Sequence, residues 1–339
     1  MIKVVTGGGA SGKSSFAESL LEQSEAGRKI YAATMIVWDD ECRERVKKHR
    51  RMREKKGFET AECPVDLGRL SVPEDGAVLM ECMSNLAANE MYREDMGTEA
   101  CAGLRAEWAG DRILAGICRI AETARDLVVV TNEVFGDIRP ADEETAAYRR
   151  LMGRLDRELF SMAGEVWEVV CGIPVQLKGR KEQAGPAPDA SRTPAGKERI
   201  HMKFITGGAF QGKREFAEQL LVREGVFDHE TADGAADPFE AAYSRKLVVN
   251  VQDYVRRFAV HEEQEARERL RKFLDRLIEE NPGAVAVMDE IGCGIVPVSR
   301  EERLWRDLAG EAAQILAACS GDVYRVTGGL AQALKGGER

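Results

Sequence analysis

Eight consecutive residues near the amino terminus have the types and spacing of a phosphate-binding loop. They are Gly7, Gly8, Gly9, Ala10, Ser11, Gly12, Lys13 and Ser14. Glycines in such a loop let backbone N–H groups turn toward phosphate oxygens, and the helix that follows adds the partial positive charge of its amino terminus. The pattern predicts that Lys13 reaches the outer phosphates and that the Ser14 hydroxyl ligates Mg²⁺. The competing interpretation is an ordinary glycine-rich turn, which does not explain the apolar strand before the loop and the amphipathic helix after it.

An acidic residue at the end of another apolar run would complete this site. Ala77–Glu81 predicts a strand that ends in a carboxylate. Phosphate-loop sites use such an acid to hold the metal ion or its waters. We therefore predict that Glu81 assists Mg²⁺; the alternative is that its carboxylate only caps the following helix.

A single histidine lies inside a strongly basic segment. Nine Lys and Arg residues fall between Arg43 and Lys56, with His49 among them. Arg45, His49 and Arg53 are spaced four residues apart, so they share one face of a helix. Neighbouring cations keep the imidazole neutral and nucleophilic and attract a triphosphate. Composition by itself leaves two alternatives open, a solvated charged helix and a face that binds a polyanion such as RNA.

Apolar runs alternate with helical patterns in the first half of the chain. Five runs predict strands: Lys3–Thr6, Lys29–Thr34, Ala77–Glu81, Leu127–Thr131 and Val166–Cys171. Four amphipathic patterns predict helices: Ser14–Gln23, Asp39–Arg53, Ala106–Asp126 and Glu143–Met162. This alternation predicts an α/β fold of the P-loop NTPase kind, with a mostly parallel sheet and helices on both faces.

The chain repeats itself. Residues 3–13 match residues 203–213 at an offset of 200, while Glu133 matches Glu290 and Gly153 matches Gly310 at an offset of 157. The two offsets indicate that the second copy has lost 43 residues from its middle. We predict a first domain at 1–179, an exposed linker rich in proline, glycine and charged residues at 180–201, and a shortened, degenerate copy at 202–336.

Composition excludes several classes of protein. The 339 residues carry a net charge of −9, which argues against a protein that coats nucleic acid. No apolar stretch approaches the roughly 20 residues that span a bilayer, and no leader pattern is recognisable at the amino terminus, so we expect a cytoplasmic protein without a membrane partner. Eight cysteines without a Cys-x-x-Cys pair predict reduced thiols, with neither disulfides nor a structural metal.

Together these motifs resemble the bifunctional adenosylcobinamide kinase/adenosylcobinamide-phosphate guanylyltransferases of cobalamin biosynthesis. The likeness covers Met1–Gly179 and rests on Thr6–Gly8, Ala32–Thr34, Asp39–Glu41, Arg45–Val46, His49, Thr60–Glu62, Leu79–Cys82 and Val130–Val134. It implies phosphorylation of adenosylcobinamide with ATP or GTP, and transfer of GMP from GTP to adenosylcobinamide phosphate through a guanylyl-histidine, which yields adenosylcobinamide-GDP.

The resemblance also assigns roles to residues. It implies that His49 is the nucleophile, that Lys13 and Ser14 hold the triphosphate and Mg²⁺, and that Glu81 assists the metal. Arg45 and Arg53 are expected to bind the nucleotide. The resemblance further implies a homo-oligomer.

The two copies depart from the family pattern in complementary ways. The first copy has lost most of a Gly-x-Gly-Ile-Val-Pro segment that the second retains at Gly292–Pro297. The second has Arg214 where the phosphate loop needs a hydroxyl, and lacks a counterpart of His49; its Leu247–Asn250 run replaces the strand that ended in Glu81, placing a neutral residue there. One hypothesis is that the copies form a composite site or interface; the alternative is a degenerate copy retained for packing.

Two further functions compete with the cobinamide enzyme. One is another small-molecule P-loop kinase, in which His49 only binds phosphate. The other is a regulatory protein that binds a nucleoside triphosphate without catalysis.

Overall fold

A computed structural model describes residues 1–36, 57–93, 100–136, 142–179 and 201–337. The chain divides into two compact units. The first contains the described residues of Met1–Gly7, Lys13–Glu168 and Gln176–Ala184, and the second contains Gly8–Gly12, Val169–Val175 and the described residues of Gly185–Arg339. Two short segments of the predicted first domain, 1–179, thus belong to the second unit. The domain limits predicted at 1–179, 180–201 and 202–336 stay a prediction.

Seven strands form the first sheet. They are β1 (Ile2–Thr6), β2 (Lys29–Ala33), β3 (Phe58–Glu62), β4 (Ala77–Glu81), β5 (Asp126–Val130), β6 (Glu165–Val170) and β7 (Ile173–Lys178). Their order is β3-β2-β4-β5-β1-β6-β7, and β1 to β6 pair in parallel. The central strands β4 and β5 are buried over nearly their whole length, as expected of parallel strands that helices cover on both faces.

The described helices of the first half carry apolar residues at helical spacing. These helices are α1 (Lys13–Glu22), α2 (Met83–Met91), α3 (Ala102–Thr123) and α4 (Glu143–Met162). Helix α3 buries Ile113, Ile117 and Ile120, three or four residues apart, in a core shared with Leu151 and Leu155 of α4. These spacings place one apolar stripe of each helix against the sheet.

The second unit has a smaller sheet of the same kind. Its strands are β8 (Lys203–Gly207), β9 (Thr231–Asp233), β10 (Leu247–Val249), β11 (Val285–Asp289), β12 (Asp322–Thr327) and β13 (Leu330–Lys335). Their order is β13-β12-β8-β11-β10-β9. The helices are α5 (Lys213–Arg223), α6 (Phe239–Ala242), α7 (Val251–Arg256), α8 (Glu263–Glu280) and α9 (Arg300–Cys319). Aromatic rings of Phe239, Tyr254, Phe258 and Phe273 pack together in its core.

Strand register supports the internal repeat independently of the sequence match. Lys3 in β1 lies opposite Val128 in β5, and Lys203 in β8 lies opposite Val285 in β11. These pairs differ by the same two offsets, 200 and 157, that align the sequence halves. Taken in reverse, the strand order of the second sheet is also that of the first without a counterpart of β3. The shortened middle of the second half therefore corresponds to the missing edge strand.

The register also refines one expectation about the second copy. Leu247 lies opposite Val285 in β11, and Leu79 lies opposite Val128 in β5. These two partners match at the offset of 157. Val249 therefore takes the place of Glu81, and Asn250 lies one residue further on. The expected neutral residue is present, but it is an apolar one.

The fold class is the α/β, P-loop NTPase-like one that the sequence predicts, and the main differences concern elements with weak patterns. Strand β3 has two buried or half-buried side chains in an otherwise exposed edge, so no apolar run marks it. Helix α2 follows β4 after a single residue, and no pattern in the sequence separates the two. The predicted helix at Asp39–Arg53 lies outside the described residues. In the described part of the chain, no helix combines the length and apolar character needed to cross a bilayer.

Candidate functional site

The first phosphate loop connects β1 to α1, and its backbone has the positive φ angles that such a loop requires. Gly7 and Gly12 have φ of 150° and 93°, a region that glycine enters without steric cost. Ala10 has φ of 53°, which costs a residue with a Cβ about 1 kcal/mol. Lys13 is the first residue of α1 and is only 7% exposed. The loop therefore has the backbone shape and the lysine placement for binding phosphate.

Ser14 and Glu81 meet at the carboxyl edge of the sheet. The Ser14 hydroxyl donates to Oε1 of Glu81, which is the last residue of β4. The hydroxyl of Tyr31, in the neighbouring strand β2, donates to Oε2 of the same carboxylate at 2.8 Å. Both oxygens of Glu81 are thus oriented. The sequence motifs identified Ser14 and Glu81 but not Tyr31. The one signal for Tyr31 was its residue type, because a tyrosine hydroxyl buried in an apolar strand needs a hydrogen-bond partner.

These residues fit a magnesium ion. Mg²⁺ prefers hard oxygen ligands and takes only one or two from the protein when substrate phosphates supply others. A hydroxyl and a carboxylate in contact, Ser14 and Glu81, offer that donor set beside the phosphate loop. Across the described residues, no group of three or more His, Cys, Asp or Glu side chains could hold a metal ion, so any ion here would depend on the nucleotide for further ligands.

Thr34 fixes the backbone next to Glu81. Its fully buried hydroxyl donates to the Cys82 carbonyl at 2.9 Å and accepts from the Cys82 N–H at 2.7 Å. Its own N–H donates to the Glu81 carbonyl at 3.1 Å, and Asn89 donates to its carbonyl at 2.8 Å. Thr34, which follows β2, therefore holds the backbone beside the acid, and Asn89 of α2 holds Thr34.

A half-buried carboxyl group, Asp156, is hydrogen-bonded to the segment that follows β5. Thr131 donates from its hydroxyl to Asp156 of α4 at 2.8 Å. Burial raises the pKa of Asp156, the Thr131 hydrogen bond lowers it, and the nearby charge of Glu133 raises it slightly, which together give a pKa of about 6. This carboxyl group changes charge in the mildly acidic range.

Hydrogen bonds within the second unit hold the phosphate loop. The Gly9 N–H donates to the Gly292 carbonyl at 2.8 Å, and the Gly172 N–H donates to the Ser11 carbonyl at 2.8 Å. Gly292 is the first residue of Gly292–Pro297, the segment of the family pattern that the first copy has lost and the second retains. Its contact with Gly9 supports the hypothesis that the two copies form a composite site or interface.

The second phosphate loop has the same backbone but different chemistry. Gly207, Phe210 and Gly212 have φ of 147°, 59° and 85°, close to the values at the matching positions of the first loop. The ammonium of Lys213, however, lies 2.7 Å from Oδ1 of Asp289 and donates to the Gly208 carbonyl at 2.5 Å. The ammonium of Lys213, which would otherwise bind phosphate, is therefore already bound to a carboxylate and a carbonyl. Arg214, in place of the serine, instead pairs with Glu218 along α5 at 3.1 Å.

Three predicted site residues cannot be placed in this geometry. His49, Arg45 and Arg53 lie outside the described residues. Their roles stay predictions.

The fold and the loop define an α/β protein of the P-loop nucleotide-binding class. The model of the family described as "Cobinamide kinase / cobinamide phosphate guanyltransferase" matches residues 3–177 and 228–334. The chain belongs to this family, which confirms the family predicted from the sequence. The predicted class of enzyme, a kinase and nucleotidyltransferase of cobalamin biosynthesis, is that of the family.

Curated relatives agree with this assignment. The chain is 33% identical over 186 residues to the bifunctional adenosylcobalamin biosynthesis protein CobU of Salmonella typhimurium, a match that spans 52% of this chain and 100% of the relative. It is 33% identical over 184 residues to the protein of the same name from Escherichia coli K12, again over 52% and 100% of the two chains. Among solved structures, an ATPase domain matches over 54% of this chain and 78% of its own, with 10% identity and a TM-score of 0.32, a likeness too weak to add to the fold assignment.

Proposed function

We propose that this chain phosphorylates adenosylcobinamide with ATP or GTP and then transfers GMP from GTP to adenosylcobinamide phosphate. The observation that carries the proposal is the contact between Ser14 and Glu81 at the phosphate loop, in a chain of the cobinamide kinase family. A triphosphate seated on this loop has N–H groups, Lys13 and a metal-binding oxygen pair around it. Such fixed charges stabilise phosphoryl transfer more than any covalent role of the protein does.

In the kinase step, the substrate hydroxyl oxygen attacks the γ-phosphorus. The bond between that phosphorus and the bridging oxygen breaks, ADP or GDP leaves, and the hydroxyl proton passes to solvent or to a base. Ser14 and Glu81 would hold Mg²⁺, which would neutralise negative charge on the phosphate oxygens. Lys13 would balance the remaining charge.

In the guanylyl step, the imidazole of His49 attacks the α-phosphorus of GTP. A phosphorus–nitrogen bond forms, pyrophosphate leaves, and the other ring nitrogen gives up its proton to solvent. An oxygen of adenosylcobinamide phosphate then attacks the same phosphorus and the phosphorus–nitrogen bond breaks. The leaving ring nitrogen takes up a proton from solvent, which restores the imidazole as adenosylcobinamide-GDP is released. Passing through this phosphoramidate replaces one difficult displacement with two easier ones. Arg45 and Arg53 are proposed to bind the triphosphate.

GTP labelled on its α-phosphate tests the proposal. We expect an acid-labile, alkali-stable label on the protein, a GMP adduct in its intact mass, and loss of both in His49→Ala. Turnover of ATP or GTP with cobinamide but without a label would favour a kinase in which His49 only binds phosphate. Nucleotide binding with neither label nor turnover would favour a non-catalytic regulatory protein.

We further propose that the second half is a degenerate copy without an active site of its own. The ion pair between Lys213 and Asp289 and the absence of a carboxylate at Val249 support this. The expected homo-oligomer and the cytoplasmic location stay predictions, which sedimentation velocity and cell fractionation test.

A further inference from the structure

One face of helix α9 packs against the first phosphate loop, within the second compact unit. Arg306, Gly310 and Gln314 follow one another at intervals of four residues and so share this face. The Gln314 amide donates to the Ala10 carbonyl at 2.7 Å. A methyl group added at Gly310 would lie 2.7 Å from that same carbonyl oxygen. The close approach of α9 to Ala10 therefore requires glycine at 310.

Arg306 acts on the loop through Gly292. The guanidinium is only 7% exposed and donates to the carbonyls of Gly292 and Gly294, the latter at 2.9 Å. The Gly292 carbonyl also accepts from the Gly9 N–H at 2.8 Å. A side chain at Gly9 would meet the Arg306 Nε at 2.6 Å. The buried positive charge of Arg306 thus lies directly against the loop. It fixes the Gly292 carbonyl, which in turn accepts the hydrogen bond from Gly9.

We propose that this face of α9 fixes the first phosphate loop for nucleotide binding, so that Arg306, Gly310 and Gln314 are positioning residues. The inference rests on the proposed function only in taking the loop as the nucleotide site. A phosphate cradle is effective when its amides are already oriented, because no reorganisation is then needed on binding. The strained Ala10 peptide, with φ of 53°, is held by the Gln314 amide and seated against Gly310.

The second loop shows the alternative way to hold this backbone. There the ion pair of Lys213 with Asp289 at 2.7 Å links the loop to the end of β11. The first copy has Asn132 at the position matching Asp289, and a neutral amide cannot form that ion pair. Contacts from α9 therefore stabilise the first loop. They do so without a carboxylate at position 132, where it would compete with phosphate.

A matched pair of glycine substitutions tests the proposal in the full-length chain. Gly153 occupies the position in α4 that matches Gly310 in α9, and a methyl group there would meet only side-chain atoms at 3.7 Å or more. Both Gly310→Ala and Gly153→Ala raise helix propensity equally. We expect Gly310→Ala to weaken binding of a non-hydrolysable GTP or ATP analogue at least tenfold by titration calorimetry, and Gly153→Ala to change it less than twofold.

Gln314→Ala gives a second test that introduces no clash. We expect a three- to tenfold higher KM for the nucleotide with a kcat within twofold of the unchanged protein, a split that general destabilisation would not produce. Equal nucleotide affinities in the two glycine variants would overturn the role of α9. If Gly310→Ala does not fold, an unchanged KM in Gln314→Ala overturns it instead.

The two proposals fail in different ways. Normal nucleotide binding without guanylyl-histidine would count against the proposed function and leave the α9 comparison valid. Failure of the unchanged protein to bind either nucleotide analogue would overturn both.

Discussion

Asp156 should make the protein less stable as the pH rises from about 4 to 6. Burial raises its pKa from the ordinary 3.8 to about 6. Between these values the folded protein keeps a proton that the unfolded chain has lost, so the free energy of unfolding falls with pH. A difference of about two in pKa corresponds to about 3 kcal/mol. Because the side chain keeps some contact with water, we expect about 1 to 3 kcal/mol.

The substitution Asp156→Asn removes this titration. In the unsubstituted protein the Thr131 hydroxyl donates to Asp156 at 2.8 Å, and the amide oxygen of the asparagine can accept the same hydrogen bond. We expect equal stability of the two proteins near pH 4, and an Asn variant more stable by about 1 to 3 kcal/mol at pH 7. Urea unfolding followed by circular dichroism at half-unit pH steps measures the difference, in which the other titrating groups cancel.

Asp142 on the same helix provides a comparison of opposite sign. It accepts from the Thr145 N–H at 2.7 Å as the N-cap of α4, and this hydrogen bond holds its pKa below the ordinary value. Its contribution to stability is present above the unfolded pKa and is lost as the pH falls, so Asp142→Ala should destabilise the protein at neutral pH and less at acid pH. A difference curve for Asp156→Asn that is flat, or that has the slope expected for Asp142, would refute the reasoning.

The remaining predictions concern the two phosphate loops. Lys13→Ala should lower kcat/KM for both transfer reactions at least about a hundredfold, whereas Lys213→Ala should leave both rates within about threefold and lower the free energy of unfolding by about 1 to 3 kcal/mol, because Asp289 loses its partner; equal rate losses would mean that the second loop is an active site. Glu81→Gln keeps hydrogen-bond acceptors but loses the charge, so it should raise the Mg²⁺ concentration needed for half-maximal rate about tenfold; an unchanged Mg²⁺ dependence would contradict a metal role.

Much of the fold follows from the sequence because its signals are local. The apolar runs of β4 and β5 and the spacing of buried residues in α3 and α4 are visible in a window of one element. Once the register of β1 and β5 is known, the two internal offsets give the residues of β8 and β11 that lie side by side. Strand β3 escapes this reasoning because its edge position leaves it mostly exposed.

The candidate site is predictable only where a motif is continuous or ends a strand. Ser14 belongs to the loop motif and Glu81 ends an apolar strand, so both are recognisable, and the structure brings them together. Tyr31 contributes through a neighbouring strand, and its hydroxyl had no local signal beyond its residue type. Gly310 and Gln314 lie about 300 residues from the loop they contact, and their spacing fits any amphipathic helix. Long-range contacts of this kind are set by tertiary packing, which periodicity does not encode.

The two phosphate loops share a backbone conformation but differ in their capacity to bind phosphate. The difference is concentrated at one position, Asn132 in the first copy and Asp289 in the second. Asn132 follows β5 at the position that matches Asp289 at the end of β11, and it donates to Ser84 at 2.5 Å. Asn132→Asp should therefore impose on the first loop the competition that Lys213 experiences in the second. In the second copy the matching carboxylate lies 2.7 Å from the ammonium of Lys213, and two unit charges about 4 Å apart interact by about 1 kcal/mol even in water.

We accordingly expect Asn132→Asp to weaken nucleotide binding at least about fivefold at pH 7, while Asn132→Ser, which removes the amide without adding charge, should change it far less. The loss should shrink when the ionic strength is raised, since salt screens the added charge. Equal affinities in the aspartate and serine variants would show that the carboxylate of the second copy is not what blocks phosphate there. The backbone shape shared by Gly7 and Gly207 would then be the wrong basis for comparing the two loops.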